Sequence, residues 1–154
     1  MIDTPQVVQA EARHAAVIRL TVPRSEIQNV MGPAIGEITA ALAAQGVAPA
    51  GPMFAHHLAM DPQNFDLEVG FPVAAPVAAS GRVKPGELPA ARVARTMYHG
   101  PYEGLHSAWG EFDAWFKDQG LTRGATLWEI YVAGPESGPD PSAWRTELNR
   151  PLAP

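Results

Sequence analysis

Apolar residues along this chain alternate between runs that suit strands and stripes that suit helices. Ala15–Pro23 is rich in β-branched side chains and ends on a proline, which predicts a strand. Ile27, Val30, Met31, Ala34, Ile35, Ile38 and Leu42 then recur at helical spacing and predict a helix ending at Gly46. Ser25 and Gln28 have the spacing of a capping box at its start. Gly32-Pro33 interrupts the stripe. Proline lacks the amide donor and clashes with the preceding turn, so a kink or a fresh helix start is expected there. Met53–Met60 and Phe65–Val73 read as strands joined by turn chemistry in Asp61-Pro62-Gln63-Asn64. Ala74–Pro89 is a small, proline-rich and glycine-rich connector with at most one short edge strand, at Val77–Val83. Ala90–Tyr98 then reads as a strand, and Gly100-Pro101 opens a second helix with its stripe at Leu105, Ala108, Trp109, Phe112 and Phe116. Leu127–Val132 and Ala143–Pro151 complete the strands, on either side of a proline-rich loop at 134–141.

The two helices are versions of one segment, MGPAIGEITAALAAQG from Met31 and LHSAWGEFDAWFKDQG from Leu105. At one constant offset Gly36 matches Gly110, Glu37 matches Glu111, and Gln45-Gly46 matches Gln119-Gly120. The chain therefore reads as two strand–helix–strand–strand repeats related by a pseudo-two-fold. The expected fold is α+β, an antiparallel sheet with helices on one face and a ligand cleft at the seam. The whole of 1–154 is expected to be one domain, with repeat one at about 15–73, a connector at 74–89 and repeat two at about 90–152.

Composition narrows the function classes. With 46% hydrophobic and 18% charged residues, 154 residues can bury a sizeable core. No cysteine is present, so neither disulfides nor thiol chemistry is available. No secretory signal and no bilayer-length apolar stretch is apparent, so a cytoplasmic location is expected and no membrane partner. Sixteen acids against eleven bases, with no basic DNA-reading helix, argue against direct nucleic-acid binding.

The most informative short stretch is Leu127-Trp128-Glu129-Ile130-Tyr131-Val132. Alternate side chains of a strand point to opposite faces. Trp128, Ile130 and Val132 make a wholly apolar face, expected under the helices, while Glu129 and Tyr131 share the other. A mid-strand carboxylate beside apolar neighbours is either a solvated rim residue or the acidic floor of a pocket awaiting a cation or a proton-transfer task. The repeat matches Ala55 to Glu129, His57 to Tyr131 and Glu68 to Glu147. Glu68, Glu129 and Glu147 are thus expected to project to the exposed sheet face, with Tyr98, Tyr102, His57 and Trp109 walling the space. Phe71 adds stacking surface. His56-His57 cannot chelate one ion, because neighbouring strand residues face opposite ways; no metal and no cofactor is expected. Nucleophile-elbow and phosphate-loop motifs are missing.

These stretches also carry a resemblance. Gly51-Pro52-Met53-Phe54, Phe65-Asp66-Leu67-Glu68-Val69-Gly70-Phe71-Pro72-Val73, Leu88-Pro89-Ala90-Ala91-Arg92-Val93-Ala94, His99-Gly100-Pro101-Tyr102-Glu103-Gly104-Leu105, Trp128-Glu129-Ile130-Tyr131 and Pro139-Asp140-Pro141 resemble, in order and spacing, the GyrI-like small-molecule-binding family. This family includes the effector-binding domains of bacterial transcription activators. The resemblance implies a ligand cleft with Glu129 at its floor, meeting hydrophobic cations among aromatic rings. It implies a stand-alone binder of a flat, amphipathic drug or toxin. Its alternatives are a hydrolase of cyclopropane-bearing genotoxins, with Glu129 and Tyr131 as catalytic residues, and a protein-binding antagonist of gyrase toxins. Relatives often carry tyrosine where this chain has His57, which implies a more polar, pH-sensitive pocket.

Overall fold

In the computed structural model, which describes residues 2–153, the chain divides into two compact units. One holds the N-terminal segment through Ala10 together with everything from Ala91 onward; the other is Glu11–Ala90. In chain order the strands are β1 (Gln6–Ala10), β2 (Arg13–Pro23), β3 (Phe54–Met60), β4 (Asn64–Pro72), β5 (Lys84–Leu88), β6 (Ala91–His99), β7 (Leu127–Ala133) and β8 (Arg145–Pro151). The helices are α1 (Ile27–Ala44) and α2 (Leu105–Asp118), each entered through a short 3₁₀ turn. The Glu11–Ala90 unit sets α1 against an antiparallel sheet ordered β3-β4-β2-β5; the other sets α2 against β7-β8-β6-β1. The fold is the duplicated α+β arrangement that the two helix segments predict.

The duplication extends into the register. Ala15 faces Pro72 and Val93 faces Pro151; Ala55 faces Val69 and Glu129 faces Leu148. Both copies also slip by one residue near the strand end, between His57 and Ala59 and between Tyr131 and Ala133. Each helix closes on a left-handed glycine, Gly46 at φ 68° and Gly120 at φ 67°. Past each glycine the Val47 and Leu121 amides reach back to the Leu42 and Phe116 carbonyls, both at 2.9 Å. That is one Schellman motif written twice.

Three expectations change. The helix runs unbroken through Pro33, because Ile27, Val30 and Met31 before it and Ala34, Ile38, Ala41 and Leu42 after it pack into one core. Burying a large aliphatic side chain contributes about 1.5–3 kcal/mol, so several together outweigh a proline cost of about 3 kcal/mol. The capping box does not form: Ser25 lies within the 3₁₀ turn and no side chain caps α1. The connector's strand lies at Lys84–Leu88 rather than Val77–Val83, whose terminal valines are instead buried under α1.

The sequence assigned β1 to neither repeat. Its residues pair with β6 from Gln6↔Arg95 to Ala10↔Ala91, and β5 pairs with β2 from Arg13↔Leu88 to Val17↔Lys84. Each edge strand therefore leads in the chain into one first strand and pairs with the other. Further contacts fasten the start of the chain: the Asp3 amide donates to the Met97 carbonyl at 2.9 Å, and Thr96 Oγ1 donates to the Asp3 carbonyl at 2.6 Å.

Candidate functional site

Residues directly opposite on paired strands share a face, which settles where each candidate points. Glu129 faces Leu148, and Leu148 lies in the core under α2 with Ala108, Phe112 and Phe116. Glu129 and Tyr131 therefore lie on the helix-covered face, while Trp128 and Ile130 lie on the opposite one. This reverses the expectation for that strand. Leu127, Trp128 and Glu129 are all buried, so alternation in polarity could not mark the face that meets the helix.

Glu129 is only 8% exposed, and its carboxylate is held at both oxygens. Trp109 Nε1–H donates to Oε2 at 2.7 Å, and the Tyr131 hydroxyl donates to Oε1 at 2.8 Å. The helix stripe supplies Trp109, one turn before Phe112, with their ring centres 5.6 Å apart. Beyond Tyr131 the aromatic surface continues outward. Tyr102 meets Tyr131 edge-on at 5.8 Å and lies tilted against Trp144 at 5.2 Å. Tyr102 is exposed, so this row of rings connects the surface to the buried acid.

Burial raises the Glu129 pKa above the ordinary carboxylate range, and the hydrogen bonds from Trp109 and Tyr131 pull it partly back. Burial likewise pushes the Tyr131 phenol well above its usual value, reinforced by the Glu129 charge and the hydrogen bond it gives to that carboxylate. The arrangement is a buried carboxylate with a neutral donor in place at each oxygen.

The other sequence candidates are placed elsewhere. Tyr98 is buried under α2, its hydroxyl donating to the Pro101 carbonyl at 2.7 Å and its ring against Gly104. Glu147 faces Met97 and Ile130 on the side away from α2, with Arg95 Nε 3.2 Å from its Oε1 and the Asn149 amide donating to that atom at 3.0 Å. Glu68 faces away from α1, 3.8 Å from Lys84 Nζ. Glu68 and Glu147 therefore lie on the face away from their helices, where all three glutamates were expected, whereas Glu129 points toward its helix. Phe71 packs into the α1 core, and His57 sits edge-on to Phe65 at 5.6 Å. Burial, helped by the Arg24 charge, lowers the His57 pKa to about 4, so it is neutral at physiological pH. Trp144 was missed from the sequence. Its only signal was a tryptophan at the end of a proline-rich loop, where its indole N–H donates to the Gly138 carbonyl at 3.1 Å. Among the described residues no group of three His, Asp or Glu side chains could hold a metal ion, and no helix is long and apolar enough to cross a membrane.

Residues 3–153 match the GyrI-like small molecule binding domain, and the chain belongs to that family. Compared with curated protein sequences it has no significant match. Among solved structures it is similar to the C-terminal domain of EcmrR, with a TM-score of 0.82 at 22% identity over 97% of both chains. It spans 57% of the longer EcmrR chain in a DNA complex. It is also similar to SAV2435 bound to tetraphenylphosphonium, with a TM-score of 0.73 at 12% identity over 98% of this chain and 94% of that one. A hydrolase from Listeria innocua matches with a TM-score of 0.63 at 14% identity, over 97% of this chain and 91% of that one. At these identities the similarity establishes the shared fold.

Proposed function

We propose that this domain captures flat, amphipathic aromatic compounds, hydrophobic cations above all, at Glu129. The observation that carries the reading is the buried carboxylate, fixed by Trp109 and Tyr131 and approached along Tyr102 and Trp144. A desolvated carboxylate attracts a cation far more strongly than a solvated one, and ring faces add cation–π attraction. The rings also cover a flat hydrophobic ligand. The complex of SAV2435 with tetraphenylphosphonium, a hydrophobic cation with four aryl rings, supports the cationic part of this ligand class. Titration with tetraphenylphosphonium by calorimetry and by thermal shift tests it. Binding should raise the melting temperature, and Glu129→Gln should weaken it by about tenfold or more while leaving the fold intact. Unchanged affinity in that variant would overturn the charge-based reading.

A second reading is favoured by one feature, the raised Glu129 pKa beside a phenolic donor. Together they suit a general base that takes a proton from water once Tyr131 turns its single hydroxyl proton from the carboxylate to the electrophile. The similarity to a Listeria innocua hydrolase points the same way. Hydrolysis of a cyclopropane-bearing electrophile, lost in Glu129→Gln, is the expected result; full turnover in that variant would exclude Glu129 as the base.

A further inference from the structure

The sheet face beneath α2 carries polar side chains where the duplicated unit is apolar. In the shared register, Leu20, Leu67, Ala55 and Phe71 of the Glu11–Ala90 unit stand where the other unit places Tyr98, Thr146, Glu129 and Arg150. Thr146 lies on the strand between two others, directly opposite Tyr98 on β6 and Tyr131 on β7. It is 0% exposed, and its hydroxyl has no hydrogen-bond partner. The hydroxyls around it are committed: Tyr98 donates to the Pro101 carbonyl, Thr96 to the Asp3 carbonyl and Tyr131 to Glu129. A buried hydroxyl without a partner destabilises a fold, and Leu67, buried at the matching position, shows that this layer closes without one. Directly opposite side chains have Cβ atoms about 5 Å apart, and diagonal neighbours on the same face lie about 7 Å apart. Thr146 is therefore adjacent to Tyr131, which holds Glu129, and one diagonal step from Glu129 itself.

We propose that Thr146 is a second hydrogen-bonding anchor of the Glu129 site, and that the site therefore favours flat aromatic cations whose head carries N–H groups, such as an aryl amidinium, over quaternary ones. The inference rests on the reading of Glu129 as the partner of a cation. An amidinium has two N–H-bearing nitrogens diverging from one carbon, so one donates to Glu129 and the other to Thr146 Oγ1, each at about 2.9 Å. A quaternary head has no N–H to give and leaves the hydroxyl unpaired. The paired probes are 2-naphthamidine, charged at neutral pH, and 2-naphthyltrimethylammonium, titrated by calorimetry. The amidinium should bind the native chain about tenfold or more tighter than the quaternary cation, the margin of one charged hydrogen bond. Thr146→Val keeps the shape and should erase that margin; Thr146→Ser should restore it. The ligand-free Thr146→Val variant should melt no lower than the native chain, because no bond within the fold is lost. Equal native binding of the two cations, a margin that survives Thr146→Val, or a lowered ligand-free melting temperature in that variant would each overturn the proposal. Glu129→Gln tests the underlying reading separately: it should weaken both cations, and if it weakens neither, the charge-based reading itself fails.

Discussion

Glu129 brings a carboxylate into a layer where its counterpart, Ala55, places only a methyl group. Because folding raises the Glu129 pKa, the native state takes up its proton more readily than the unfolded chain. Its contribution to stability is therefore full below the ordinary value of 4.5 and is lost as pH rises through the raised one. Cation affinity should run the other way, increasing over that same interval as the carboxylate ionises; a flat profile by calorimetry would count against Glu129 as the charge. His56 and His57 have the opposite sign, both lowered by burial from 6.5 to about 4. Stability should fall as pH drops from 6.5 through 4, and His57→Phe should soften that fall in melting curves taken across the range. At this scale the acid, its phenol and its tryptophan were all legible, because a charge in an apolar strand demands partners. Their face was not. It depends on which β8 residue stands opposite, and Leu148 rather than any property of β7 decided it.

Helix ends are the most faithful part of the duplication, and they can be read directly. Gly46 and Gly120 adopt left-handed backbone with open space around the missing side chain, so an alanine at either meets only the backbone penalty. Gly46→Ala and Gly120→Ala should each cost about 1–2 kcal/mol in denaturant unfolding, and by similar amounts. Gly104 differs: an added Cβ would strike the Tyr98 hydroxyl, which is already committed to Pro101. Gly104→Ala should shift the turn carrying Tyr102 and weaken tetraphenylphosphonium binding; unaltered affinity would show that Tyr102's position is immaterial. Proline chemistry predicted a kink or a fresh helix start at Pro33, and packing on both sides carries the helix through it without a fresh start. Local rules set the intrinsic cost at Pro33, while the buried side chains on either side set the outcome.

Across the whole molecule, the edge strands are what local pattern could not assign. β1 is five residues long, largely exposed, and gives no periodic signal of its own; its role comes from its pairing with β6. Removing residues 1–10 should strip hydrogen-exchange protection from Ala91–Arg95 and lower the stability of the unit that carries Glu129, with little change at Arg13–Val17. Equal loss at both places would mean the exchanged edges act as one. The sequence by itself determined the two duplicated helices with their glycine stops, the six inner strands, the family, and the identity of the one acid most out of place. Those follow from spacing and from chemistry confined to a few neighbouring residues. Only the tertiary structure decided that Glu129 and Trp109 meet on the helix-covered face and that Arg150 is buried. Strand register and helix placement are long-range, and a shift of a single residue would send each of those charges to the other face.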